Sequence, residues 1–159
     1  MIDAGQRADY ARAIRQLPSF AREAVHGFTE EQLDTRYREG GWTIRQVLHH
    51  LADSHANAYI RFRLILTEDN PTLKPYDQDL WAALSDAAHA PIAASLAMLE
   101  GIHDRWSRLI ETLDEAALER TAFHPENGTM TAMDVLRTYA RHGEHHVRQI
   151  SDCRMVKGW

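Results

Sequence analysis

The sequence predicts an all-α protein, a four-helix bundle with short extra helices in its connections. Three observations indicate this class. Four long segments carry apolar residues at the three- and four-residue spacing of a helix face, and short runs rich in Gly, Pro, Thr or Asp separate them. No segment alternates convincingly between apolar and polar residues, as a half-buried strand would. The 159 residues fit a single domain, 1–159, which is long enough to bury a full core.

The first two long helices are predicted over residues 4–26 and 44–67. Pro18 lies inside the first helix, where a proline is expected to kink it, and Gly27 marks its end. Helix starts are indicated where a threonine is followed three residues later by a side chain that can bond back to its backbone. These pairs are Thr29 with Gln32, Thr43 with Gln46, and Thr131 with Asp134.

The second half of the chain predicts two more long helices. Residues 70–77 carry two prolines and are expected to form a loop, which leads to a short helix around 80–84. The third long helix is predicted from Pro91, a residue suited to a first turn, to about Leu113. Residues 121–130 are rich in turn formers, and the fourth helix is predicted from there to about Met155. Long amphipathic helices joined in this way are typical of a bundle.

Composition excludes several classes of protein. No apolar run approaches the roughly 20 residues of a membrane helix, and the first residues lack the apolar core of a secretory signal, so a cytoplasmic protein is expected. A net charge of -5 without a basic tract argues against nucleic acid and favours a small-molecule partner. Cys153 is the only cysteine, so no internal disulfide is expected and any metal must use nitrogen and oxygen ligands.

Six of the ten histidines fall into two short clusters, and these are the candidate site. The clusters are His49, His50 and His55 on the second helix, and His142, His145 and His146 on the fourth. The isolated His89, His103 and His124 are expected at the surface or at helix ends.

The spacing of His142 and His146 places both rings one helical turn apart on one face, where they can reach one ion. His145 projects away from that face. Two histidines four residues apart also arise by chance on a helix, and a catalytic metal commonly has three protein ligands. On the second helix, periodicity places His55 at the centre of the apolar stripe and His50 on its flank. Periodicity alone leaves the choice of a third ligand open.

The segments GGWTIRQVLHHLADSHANAYIRFRLILTEDNPTLKPYD and RHGEHHVRQI, with the terminal KGW, resemble the YfiT-like branch of the DinB superfamily. The resemblance covers most of the chain in order. It implies a four-helix bundle of that type, a homodimer, and a metal held by His50, His142 and His146. It also implies a metal-dependent hydrolase, and it assigns no further catalytic residue.

Three neutral imidazoles would leave a divalent ion with its full charge and at least one open position, as in catalytic rather than structural sites. The hypothesis is hydrolysis of a small substrate by activated water. One alternative is a thiol-dependent S-transferase, in which the ion activates a thiolate; the resemblance to the wider superfamily implies a thiol of the bacillithiol type. A second is a stress-response binding module that the metal stabilises and that does no catalysis. Zinc is the expected metal and nickel the second choice, since imidazole ligands suit both.

Overall fold

A computed structural model describes residues 4–159 of the chain. Four long helices make up most of it, with four short helices and one hairpin in the connections. The elements are α1 Ala4–Ala24, α2 Glu30–Leu33, α3 Ile44–Thr67, α4 Gln78–Ala82, α5 Ser85–His89, α6 Ala93–Glu111, α7 Glu115–Leu118, β1 Thr121–His124, β2 Gly128–Thr131 and α8 Ala132–Lys157. The predicted four-helix bundle is confirmed.

The four long helices form a ring. Helix α1 packs against α6 and α8, and α3 packs against the same two helices. Helices α1 and α3 therefore lie diagonally opposite each other, as do α6 and α8. This arrangement brings one face of every long helix to the middle of the bundle, where side chains from all four can meet.

The predicted helix starts are present, because capping is a local property of a few neighbouring residues. Thr29, Thr43 and Thr131 each accept a hydrogen bond from the backbone N–H three residues on, and that residue's side chain bonds back to the threonine N–H. These contacts satisfy donors that a helix start otherwise leaves without a partner. The capped helices α3 and α8 carry both histidine clusters.

The connections differ from the prediction in four places. Helix α1 ends at Ala24, because residues 25–27 form a turn that closes on Gly27, whose φ is +78°. The single short helix expected around 80–84 is two helices, α4 and α5, and α7 was not predicted.

Residues 121–130 were predicted as irregular structure, but they form most of an antiparallel hairpin in which Thr121 pairs with Thr131 and His124 with Gly128. In β1 the polar His124 is buried and the apolar Phe123 is exposed, so the sequence does not show the apolar–polar alternation of a half-buried strand. The predicted loop 70–77 adds to this hairpin: the Leu73 N–H donates to the Phe123 carbonyl at 2.8 Å. The two connections thus form one layer over one side of the bundle.

The core consists of two groups of buried apolar side chains, one around Trp106 and Phe62 and the other around Leu48 and Leu99. Within residues 4–159, no helix combines the length and the apolar character needed to cross a membrane.

Truncating Phe62 should test the first group. The side chain is fully buried and its ring centroid lies 5.6 Å from that of Trp106. We expect Phe62→Ala to lower the free energy of unfolding by about 3–5 kcal/mol, because apolar contacts are lost and a cavity remains. Urea denaturation measures this change. The matched control is Phe20→Ala, whose ring is 53% exposed and whose loss should change stability by only about 0.5 kcal/mol. Equal effects of the two substitutions would contradict this account of the core.

Candidate metal centre

Three imidazole rings meet where α3 and α8 pack together. The Nε2 atom of His142 lies 3.2 Å from Nε2 of His50 and 3.2 Å from Nε2 of His146. One ligand nitrogen from each ring lies within 4.8 Å of the other two. Among residues 4–159, no other three histidine, cysteine or carboxylate side chains come together closely enough to share an ion. The sequence-predicted ligands are therefore adjacent in space.

These rings are held in their neutral form. Burial, followed by repulsion from the charge His146 would carry, lowers the pKa of His50 to about 3. Burial, followed by repulsion from the charges that His146 and His50 would carry, lowers the pKa of His142 to about 3. Burial lowers the pKa of His146 to about 4. Each nitrogen consequently offers a lone pair at neutral pH, which is the form that binds a metal.

Contacts behind the rings fix two of the three. The ring of Trp42 packs against that of His50 with centroids 4.7 Å apart. The Nδ1 atom of His146 lies 2.8 Å from Oε1 of Gln149, and the amide nitrogen of Gln149 lies 2.9 Å from the exposed His145. An amide oxygen can only accept, so His146 donates from Nδ1 and its Nε2 lone pair faces the other two ligands.

His142 is the first member of a row of hydrogen-bonded groups, which we call the histidine relay. Its members are His142, His55, His103 and the Ile14 carbonyl. Nδ1 of His142 lies 3.3 Å from Nε2 of His55, and Nδ1 of His55 lies 3.0 Å from Nε2 of His103. Nδ1 of His103 bonds to the carbonyl oxygen of Ile14. The relay therefore starts on α1 and reaches the ligand cluster through α6, α3 and α8.

His55, which periodicity placed at the centre of the apolar stripe, is fully buried, but it lies behind the ligand cluster rather than in it. His103 was expected at the surface, and this was wrong: it is also fully buried. The sequence held a signal for it, since His103 falls four residues after Leu99 and three before Trp106, on the apolar stripe of α6.

The other histidines lie outside the cluster of candidate ligands. His49 is buried on the far side of α3, where its ring nitrogens lie 2.7 Å from Oγ of Ser95 and 3.1 Å from the Ala90 carbonyl. His89 is exposed, as expected. His124 was expected at the surface but is buried in the hairpin, with Nδ1 accepting a hydrogen bond from the Glu126 N–H at 3.2 Å.

A cleft of about 600 Å³ opens beside the ion site, and His142 forms part of its wall. Its other walls come from α3, α8 and the layer formed by the two connections. They include Ser54, Arg61, Tyr76, His124 and Tyr139. Burial raises the pKa of Tyr76, while a hydrogen bond with Ser54 partly opposes that shift. Tyr76 is therefore a hydroxyl donor at neutral pH. A small molecule in this cleft lies next to one of the candidate ligands.

The sequence profile of the DinB superfamily matches residues 13–150. A Geobacillus kaustophilus protein is 46% identical over 99% of this chain and 89% of its own length. YfiT of Bacillus subtilis is 40% identical over 99% of this chain and 89% of its own length. Each of these two relatives is named as a proposed metal-dependent hydrolase.

A solved structure of Bacillus subtilis YfiT superposes on this chain with a TM-score of 0.97 at 41% identity. The superposition covers 100% of this chain and 91% of the other. That structure is described as a proposed metal-dependent hydrolase with an unusual four-helix bundle topology.

Proposed function

The chain belongs to the DinB superfamily, and we propose that it is a metal-dependent hydrolase whose divalent ion is held by His50, His142 and His146. The observation that carries this proposal is the convergence of three neutral imidazole nitrogens beside an open cleft. The hydrolase names of its relatives support the reaction class.

The donor set fits a first-row divalent ion. Nitrogens that each bind zinc at about 2.0–2.1 Å in a tetrahedron lie roughly 3.3 Å apart. Nε2 of His142 lies 3.2 Å from both of its partners, which is close to that separation. All three rings are neutral, so the site brings no negative charge to quench the Lewis acidity of the ion. This favours a catalytic over a purely structural centre.

A bound ion of this kind supplies a Lewis acid, which polarises a carbonyl or phosphoryl oxygen and lowers the pKa of water toward about 7. The residues of the chain supply position. Tyr76 can donate a hydrogen bond to a substrate oxygen. Arg61, whose guanidinium already bonds to the Lys74 carbonyl and lies 5.8 Å from the Tyr76 ring, is fixed at the cleft wall. The cleft volume suits a small-molecule substrate rather than a polymer.

We expect the purified protein to hold about one divalent ion per chain, zinc by preference and nickel second. An ion that binds only the folded state stabilises it, by about 2.7 kcal/mol at 100 times the dissociation constant. Elemental analysis measures the content, and thermal denaturation with and without a chelator measures the coupling. Absence of metal after reloading with zinc and with nickel, or a melting temperature that chelation leaves unmoved, would contradict the proposed site.

The reaction is tested with zinc- and nickel-loaded protein against a panel of small esters, amides and phosphoesters, followed by mass spectrometry. We expect metal-dependent addition of water to at least one substrate, and loss of that activity on chelation. His145→Ala is the control variant, since His145 is exposed and outside the cluster. Parallel reactions with electrophiles and a low-molecular-weight thiol test the alternative: S-conjugates without hydrolysis would replace this proposal with a thiol transferase. Metal binding without turnover in either panel would favour the binding module.

The homodimer implied by the resemblance and the cytoplasmic location expected from the composition stay predictions, as does the absence of nucleic-acid and membrane partners. Light scattering of the purified protein measures its oligomeric state. Cell fractionation measures its location.

A further inference from the structure

Four hydrogen-bonding groups form the histidine relay, and the group at one end determines which ring nitrogen carries the proton at the other end. The first is the carbonyl oxygen of Ile14 on α1. In a regular helix this oxygen accepts the N–H of the residue four positions on, but that residue is Pro18, which has no backbone N–H. The Ile14 carbonyl is thus left for another donor, and His103 bonds to it.

The direction of each hydrogen bond follows from that carbonyl, which can only accept. His103 must carry its proton on Nδ1, so its Nε2 is a lone pair, because the neutral ring has one N–H. Burial lowers the pKa of His103 to about 4, which keeps the ring neutral. Nε2 of His103 then accepts from Nδ1 of His55, at 3.0 Å.

The same logic continues one ring further. With its proton on Nδ1, neutral His55 has a lone pair on Nε2, which lies 3.3 Å from Nδ1 of His142. His142 therefore donates from Nδ1. The reverse order of protons would point the Nδ1 lone pair of His103 at the carbonyl of Ile14, lone pair against lone pair. Only the first direction gives the Ile14 carbonyl a donor.

We infer that the histidine relay holds the ring of His142 in the Nδ1–H tautomer, which presents the Nε2 lone pair to the ion. His55 and His103 are then positioning residues of the metal centre, although neither contacts the ion. Outer partners of metal-binding histidines fix ring orientation and raise ligand basicity in this way. The inference rests on the proposed ligand set, but the tautomer of His142 is measurable without any metal.

The experiment has two readouts. Nitrogen chemical shifts in the metal-free protein report which ring nitrogen of His142 carries the proton. We expect Nδ1–H in the wild-type protein and a mixture of both tautomers in His55→Leu, where Nδ1 of His142 has lost its acceptor. The zinc dissociation constant, measured by competition with a chelator, should rise about 10–100-fold in His55→Leu and in His103→Leu.

Conservative variants separate positioning from packing. The side-chain amide of glutamine both accepts and donates hydrogen bonds, as a relay histidine does. The His55→Gln and His103→Gln proteins should therefore recover most of the zinc affinity. His49→Leu is the matched control: it removes a buried histidine with two hydrogen bonds outside the relay, and zinc affinity should be unchanged.

Several outcomes would overturn the inference. One is a wild-type His142 protonated on Nε2, a measurement that needs no variant to fold. Another is a His55→Leu protein with unaltered tautomer and unaltered zinc affinity. A third is equal loss of affinity in the leucine and glutamine variants, which would indicate packing alone. Failure of the hydrolase assay with normal metal binding would leave the inference intact, so the two proposals fail separately.

Discussion

Replacing His50, His142 or His146 with Ala should weaken zinc binding by more than the roughly 100-fold that loss of an outer partner causes. Each substitution removes one of three bonds to the ion and leaves a pair of rings that cannot hold a catalytic metal well. His142→Ala should have the largest effect, since Nε2 of His142 lies 3.2 Å from both other ligands and its Nδ1 ends the relay. Competition with a chelator measures the dissociation constants.

Two neighbouring histidines serve as controls for these substitutions. His49 and His145 each lie one residue from a ligand along the chain, but each ring has its own hydrogen-bond partner. The His49→Ala and His145→Ala proteins should therefore keep the metal. His55→Ala should keep a content near one ion per chain at saturating zinc, with lower affinity and lower stability. A His55→Ala protein that folds but holds no metal, beside a His50→Ala protein that binds normally, would show that the ligand set is wrong.

Acid should destabilise the metal-free protein steeply. The pKa is about 3 for His50 and His142 and about 4 for His146 and His103 in the folded state, against 6.5 for an ordinary histidine. Between these values the unfolded chain binds protons that the folded chain does not. Stability is therefore complete above pH 6.5 and falls as the pH drops toward 4, by about 1.4 kcal/mol per pH unit for each histidine.

Urea denaturation of the metal-free protein at several pH values between 7.5 and 4.5 measures this loss. Domains of this size have a free energy of unfolding of about 5–15 kcal/mol, so we expect the metal-free protein to unfold between pH 7.5 and 4.5. His103→Gln removes one titrating group and should reduce the slope by about one proton. A free energy of unfolding that stays constant from pH 7.5 to 4.5 would contradict the depressed pKa values.

Much of the site could be predicted because it depends on local geometry. The spacing of His142 and His146 follows from helical periodicity, and the starts of α3 and α8 follow from capping residues. The choice of the third candidate ligand does not follow from local geometry. His50 and His55 are both buried on α3, and which ring joins the cluster of His142 and His146 depends on how α3 packs against α8. Only the family resemblance distinguished the two.

The relay and the cleft could not be predicted for a related reason. His55 is 48 residues from His103, and that residue is 89 from Ile14, so no short pattern links them. The cleft wall joins residues 70–77 to a hairpin whose strands have four residues each. Contacts between distant segments decide both features, whereas periodicity reports only which face of an element is buried.

Pro18 sets two goals of protein engineering against each other. A proline inside a helix costs about 3 kcal/mol relative to alanine, so Pro18→Ala is a natural choice for anyone raising the stability of α1. The new N–H would compete for the Ile14 carbonyl and thus for the group that orders the protons of the relay. A more stable first helix would then come with a less well-prepared ligand on α8, at the other end of the relay. Thermostability screens of this protein should therefore score metal affinity alongside melting temperature.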